Sequence, residues 1–210
     1  RAIWLSVFGM YALRLRSFNA LEQELRLSRR WEAWVGTRKP SADTIGRVFA
    51  SMSADEIRQI LSAVLHDAWR SKAIHPRPGE SYRVVAVDGH EIGASRARCC
   101  PQCLVREKKK ATGTEIEYYH RVVVAQWIGV TPPAILDLEL IGPAEGEVTA
   151  ARRLLERILR QHARLIDVIS ADALYLEAPF LKQVLDAGKH VVIVMKQERR
   201  ELFQDAEKLR

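Results

Sequence analysis

Cysteine is scarce in this chain: three residues in 210, bunched at Cys99, Cys100 and Cys103. That number and spacing exclude a disulfide framework and lead us to expect a reducing compartment, the cytoplasm. Glycine (11) and proline (8) are also few, which excludes collagen-like and low-complexity architectures. Long apolar runs are missing as well. The longest candidate, Ile3 to Leu15, is interrupted at Arg14, is followed by Arg16 and no small-residue cleavage site, and is too short to cross a bilayer. It reads as a buried helix, and no membrane partner is expected.

Acidic side chains are outnumbered, 26 Asp and Glu against 33 Lys and Arg. The resulting net charge of +7 and pI near 9.5 favour a polyanionic partner. Residues 1–80 carry +5, residues 81–130 carry +3 and residues 131–210 carry −1. The basic excess therefore sits in the first two thirds. What remains, 48% hydrophobic and 28% charged residues, is the composition of a globular protein able to bury a core.

Residues 1 to about 74 are helical in pattern, with apolar residues recurring at three- and four-residue steps. Pro40 and Ser41 open one helix, and Ser53 with Glu56 forms a capping box opening another. Four helices are expected here. The stretch 75–81, with two prolines and a glycine, stops helix propagation. It divides a helical region, 1–78, from a second region, 79–210.

Beyond it the period becomes that of strands. Residues 82–89 form a short β-branched run, 118–130 and 133–142 read as an antiparallel hairpin, and 164–174 and 190–196 each hold a strand. The last is apolar enough to be fully buried. Residues 146–163 and 177–188 are helical, the second closed by Gly188. Strands alternating with helices after an antiparallel meander imply an α/β mixed sheet with flanking helices.

Two aspartates stand where such a sheet places its chemistry. Asp88 ends the aliphatic strand VVAVD, and Asp172 ends the strand in DVISAD. Open α/β sheets bind ligands at the carboxyl ends of their strands. Each also has a plainer reading, Asp88 as the aspartate of an Asp-Gly turn and Asp172 as the cap of the following turn. Together they make a hard-oxygen site suited to Mg²⁺, or Mn²⁺, which accepts one or two carboxylates beside a substrate phosphate.

At these residues the chain resembles a known family. VAVDGHE, RARCCPQCLVR, YYHR, IGPAEGEVTAARRLL, DVISADALY and HVVIVMKQERREL are similar to blocks of the insertion-sequence transposases of the DDE superfamily. The likeness covers roughly residues 36–210. It implies a ribonuclease-H-like catalytic core in which two Asp and one Glu hold two metal ions, with Asp88 and Asp172 as the two aspartates. It further implies action on the terminal inverted repeats of the element, double-stranded DNA as partner, a homo-oligomer in the synaptic complex, and a place at the bacterial nucleoid. A structure-selective nuclease of the same fold and a non-catalytic DNA-binding remnant are the rival readings.

The third acid departs from the family pattern Tyr-x2-Arg-x3-Glu-x6-Lys. Tyr118 and Arg121 have its opening spacing, but position 125 is Ala, and Glu198 and Glu201 follow the last strand too closely. Beginning on Arg1 and ending in a charged helical pattern, the chain reads as cut at both ends, with the third ligand expected beyond residue 210.

Several other features admit two readings. Cys100-Pro-Gln-Cys103 has the gap of a zinc knuckle, with Cys99, His90 and His120 as further ligands, of which tetrahedral zinc would need two. The alternative is reduced thiols. Arg106, Lys108, Lys109 and Lys110, with Thr112 and Gly113 after them, read as an exposed loop that either binds DNA phosphates or is simply solvated. The arginines of 152–164 read as a salt-bridged solvent face. Trp31, Trp34 and Trp69 read as core rather than base-stacking residues. The segment SADTIGRVF resembles the second part of a helix-turn-helix, which leaves DNA-end binding by region 1–78 open.

Overall fold

The structure is a computed structural model describing residues 1–36, 38–110, 113–195 and 201–208. The chain forms two compact units, Arg1–Ile57 and Arg58–Arg210.

The first unit contains α1 (Ala2–Ala12), α2 (Phe18–Leu27), a 3-10 turn at Arg29–Trp31 running into α3 (Glu32–Val35), α4 (Ala42–Ser51) and the start of α5 (Ala54–Arg70). The short α3 is one helix more than the sequence pattern suggests. Caps sit where the side chains dictate. The Oγ atoms of Ser17 and Ser41 accept from the backbone N–H groups of Ala20 and Thr44 at 3.1 and 3.2 Å. Ser53 and Glu56 form the reciprocal box, at 3.0 and 3.1 Å. Val7, Met10, Leu21, Leu25, Val35 and Ile45 make the core of this unit.

Two expectations need correction in this unit. The apolar α1 is not buried all round: Ser6, Val7, Gly9 and Met10 are buried and Ala2, Ile3 and Leu5 pack on the core, while Trp4, Phe8 and Tyr11 are exposed. Trp34 is likewise 53% exposed, although Trp31 packs on the core as expected.

The second unit is built on a six-stranded mixed sheet. Its elements are β1 (His75–Pro76), β2 (Val84–Ser95), β3 (Leu104–Lys110), β4 (Gly113–Trp127), β5 (Val130–Thr131), β6 (Ala134–Leu140), α6 (Glu147–His162), β7 (Val168–Ala171), α7 (Ala178–Asp186), β8 (His190–Ile193) and α8 (Glu201–Lys208). The strand path is β3-β4-β2-β7-β8, with β6 also on β4, while β1 and β5 pair separately. Strands β2, β3, β4 and β6 pair antiparallel, and β7 runs parallel to both β2 and β8. The expected hairpin is β4 with β6. The Arg106–Lys110 run is not a loop: it pairs in register with residues 113–117 as β3.

Helix α6 packs Ala150, Ala151, Leu154, Leu155 and Ile158 into the core with no exposed area. Helix α5 supplies Leu61, Leu65, Ala68 and Trp69 to the same core, and the Trp69 and Trp127 rings lie 4.8 Å apart. For that reason the division between units falls inside α5, about twenty residues before the proline-rich stretch. The last strand is also less buried than its composition suggests. At the end of the strand path, β8 leaves His190 exposed and Val192 55% exposed.

The arginines of α6 are more than a solvent face. Arg157 and Arg58 both reach Asp137, itself 3% exposed, at 2.6 and 3.3 Å. Arg153 pairs with Glu139 and Glu145. These bonds hold α5 and α6 against β6.

Candidate functional site

Asp88 lies inside β2, which continues past it to Ser95 with Asp88 and Gly89 paired to Val124 and Val123, so it neither ends a strand nor sits in an Asp-Gly turn; Asp172 directly follows β7. Side chains alternate along a strand, so with Val85 and Val87 in the core, Ala86 and Asp88 project from the opposite face of β2. The parallel register pairs Val84 with Val168 and continues to Val87 with Ala171. The next residues along the two chains are Asp88 and Asp172, and the charges of both act on the Tyr175 phenol. The two aspartates, 84 residues apart in sequence, thus each follow the last matched pair of two neighbouring parallel strands.

Both also serve the local backbone. Asp88 Oδ1 accepts from the Gly89 N–H at 2.8 Å, and Asp172 Oδ1 accepts from the Leu174 N–H at 2.9 Å, capping the 3-10 turn Ala173–Tyr175. The capping role foreseen for Asp172 is therefore real. Asp88 is exposed and Asp172 half-buried.

Tyr175 closes this turn and is wholly buried. Its phenol is pushed far above the ordinary range, first by burial, then by its hydrogen bond to Glu147, by the Glu147 charge, and by the charges of Asp88 and Asp172. Its hydroxyl donates to Glu147 Oε1 at 2.7 Å, and Arg121 Nη2 donates to Glu147 Oε2 at 2.5 Å. The Glu147 carboxylate occupies the space that a Cβ on residue 89 would need. Gly89 is there because a buried carboxylate sits on it.

Glu147, Arg121 and Tyr175 escaped the sequence reading. The signal available was Gly89 directly after Asp88, which passes equally for turn punctuation. In the sequence Arg121 stands out only by its three-residue spacing from Tyr118.

Among the described residues, the one set of three His, Cys, Asp or Glu ligand atoms lying within 4.8 Å of one another is Cys100, Cys103 and His120. The aspartates thus have no third acidic ligand atom that close to both among the described residues. Glu198, weighed as a third acid, lies outside the described residues, as do Lys196, Thr112 and the side chain of Glu201. Neither His90 nor Cys99 joins the cysteine set.

The basic run is mostly committed to its own hairpin. Arg106 pairs with Glu91 and Glu117, Lys108 with Glu117 at 2.7 Å, and Lys110 with Glu115 at 2.7 Å. The paired arginine and lysines hold Glu91, Glu115 and Glu117 below the usual carboxylate range. Lys109 pairs with no acidic side chain among the described residues. The expected loop is thus replaced by a charge-paired hairpin in which Lys109 alone of the four has no acidic partner among the described residues.

No protein-family model matches the chain, and no curated protein matches it. Among solved structures, it is similar to a piggyBac transposase synaptic complex with hairpin DNA, at 17% identity and a TM-score of 0.44, covering 94% of this chain and 42% of that one. It is also similar to the Mos1 strand transfer complex, at 12% identity and a TM-score of 0.32, covering all of this chain and 64% of that one. The chain spans less than two thirds of either structure's own chain.

Proposed function

We propose that the chain is part of a DNA transposase, with Asp88 and Asp172 as metal ligands in cleavage and strand transfer at the ends of an insertion sequence. The observation that supports this reading is the parallel β2–β7 pairing, in which Asp88 and Asp172 each follow directly on the last matched pair, Val87 with Ala171. The donor set suits Mg²⁺ or Mn²⁺, hard cations that keep waters and take one or two carboxylates with a substrate phosphate; of the two donor residues Asp88 is exposed.

Bound there, divalent cations would neutralise the charge that builds on the attacking and leaving oxygens of a phosphodiester. The chain's own residues supply position. Asp88 is held by its strand and by the Gly89 N–H, and Asp172 by the turn it caps. Tyr175 and Arg121, both bonded to Glu147, fix that turn against Gly89. Strand transfer would need the ends of the element and a homo-oligomeric assembly on the nucleoid. A non-catalytic DNA-binding remnant is the rival, favoured by the lack of a close third carboxylate among the described residues.

The test is Mn²⁺ binding followed by electron paramagnetic resonance, together with nicking of supercoiled duplex DNA. Binding that disappears in both Asp88→Asn and Asp172→Asn, with Mg²⁺-dependent nicking lost in parallel, supports the reading. Unchanged Mn²⁺ binding in the two variants overturns the metal site. Metal binding without nicking favours the remnant.

A further inference from the structure

The geometry points to a structural zinc site at Cys100, Cys103 and His120, independent of the aspartate pair. Tetrahedral zinc has Zn–S near 2.3 Å and Zn–N near 2.0–2.1 Å, which requires ligand separations of about 3.8 Å for S to S and about 3.5 Å for S to N. The two Sγ atoms are 3.6 Å apart, and they lie 3.5 and 3.4 Å from His120 Nε2. All three edges of a tetrahedral face are thus within about 0.2 Å of what one zinc ion demands.

The backbone supports the same ligand set. The Cys103 N–H donates to the Cys100 carbonyl at 3.0 Å, closing a tight turn across Pro101 and Gln102. The Cys100 N–H donates to Cys103 Sγ at 3.2 Å, which holds that sulfur on the Cys100 side of the turn. The two sulfurs lie too far apart for a disulfide, and hydrogen-bonded thiols alone give no reason for an imidazole nitrogen to sit equidistant from both. Cys100 is exposed, and the three ligand residues line one cavity together with Arg98 and Cys99.

The placement gives zinc a task. His120 is on β4, and its partner on β2 is Gly93, immediately after the irregularity between Glu91 and Gly93 where the register shifts. The cysteines belong to the segment linking β2 to β3. A shared ion would clamp this connection onto β4, at the base of the charged β3–β4 hairpin, where backbone pairing is interrupted. Metal binding of this kind contributes directly to folding free energy.

The test uses the whole chain, purified without chelator. Elemental analysis should find about one zinc per chain, retained through dialysis. Replacement by Co²⁺ should give thiolate-to-cobalt charge-transfer absorption, and zinc should slow proteolysis in 96–103 relative to chelated protein. Cys103→Ser and His120→Ala, checked for folding by circular dichroism, should each weaken zinc binding by about tenfold or more. If a variant fails to fold, the wild-type measurements still decide. Substoichiometric zinc that washes out, or a cobalt spectrum without thiolate bands, overturns the site. A failed Mn²⁺ assay at the aspartates leaves these readouts untouched.

Discussion

The Glu147 carboxylate lies where residue 89 would carry its Cβ, and residue 89 is glycine. Glu147 begins α6 and Gly89 follows Asp88 within β2, so this contact ties a helix start to the strand bearing one of the two aspartates. Because Glu147 also binds Arg121 of β4 and Tyr175 of the turn after Asp172, a single buried carboxylate touches both sides of the candidate site.

Gly89→Ala should therefore destabilise the second unit. Overpacking against a held carboxylate costs about 1–3 kcal/mol, read as a lower melting temperature. Pairing it with Glu147→Ala should cost less than the two single losses combined, since one substitution removes what the other collides with. Strict additivity in that double-mutant cycle would show that the two residues do not collide.

Replacing either aspartate should separate chemistry from binding. In a catalytically competent protein, Asp88→Asn or Asp172→Asn should reduce Mg²⁺-dependent cleavage by about a thousandfold, or about 4 kcal/mol. DNA affinity, measured by anisotropy, should stay within a few-fold. Retained cleavage in either variant would remove that residue from the metal site.

Arg157→Ala should be costly. It strips one of two guanidinium partners from Asp137, which is 3% exposed. Breaking a buried pair costs about 3–5 kcal/mol, and with Arg58 remaining the loss should fall near the lower end, about 3 kcal/mol, in denaturant unfolding. An unchanged midpoint would show that the network contributes little.

His162 should make stability fall on mild acidification. It is 1% exposed, and its pKa is lowered below 6.5, first by burial and then by the charge of the neighbouring His66, with Asp137 opposing. The unfolded chain binds a proton near pH 6.5 that the folded chain resists, so stability declines as pH drops from about 6.5 toward the lower folded value. His162→Gln should flatten the slope of unfolding free energy in that window. A slope unchanged by the substitution would assign it to other groups.

Element types were largely legible because they rest on local signals. The Ser53–Glu56 box, the Ser41 cap and the alternation in 134–140 all depend on neighbours a few residues apart. The Arg106–Lys110 run was illegible as a strand, because its lysines read as solvated loop until Glu115 and Glu117 are seen opposite them. Trp34 and α1 misled for the converse reason: periodicity shows which residues share a helix face, but not whether anything covers it.

The sequence alone determined which segments are helix or strand, and it singled out Asp88, Asp172 and the Cys100–Cys103 pair as residues with chemistry to spare. Only the tertiary structure decided that the strand bearing Asp88 pairs with the strand leading to Asp172, that His120 lies against the cysteine pair, and that Glu147 rests on Gly89. Those meetings depend on strand register, and register is selected by how a whole buried face packs, a condition that no short stretch of residues carries by itself.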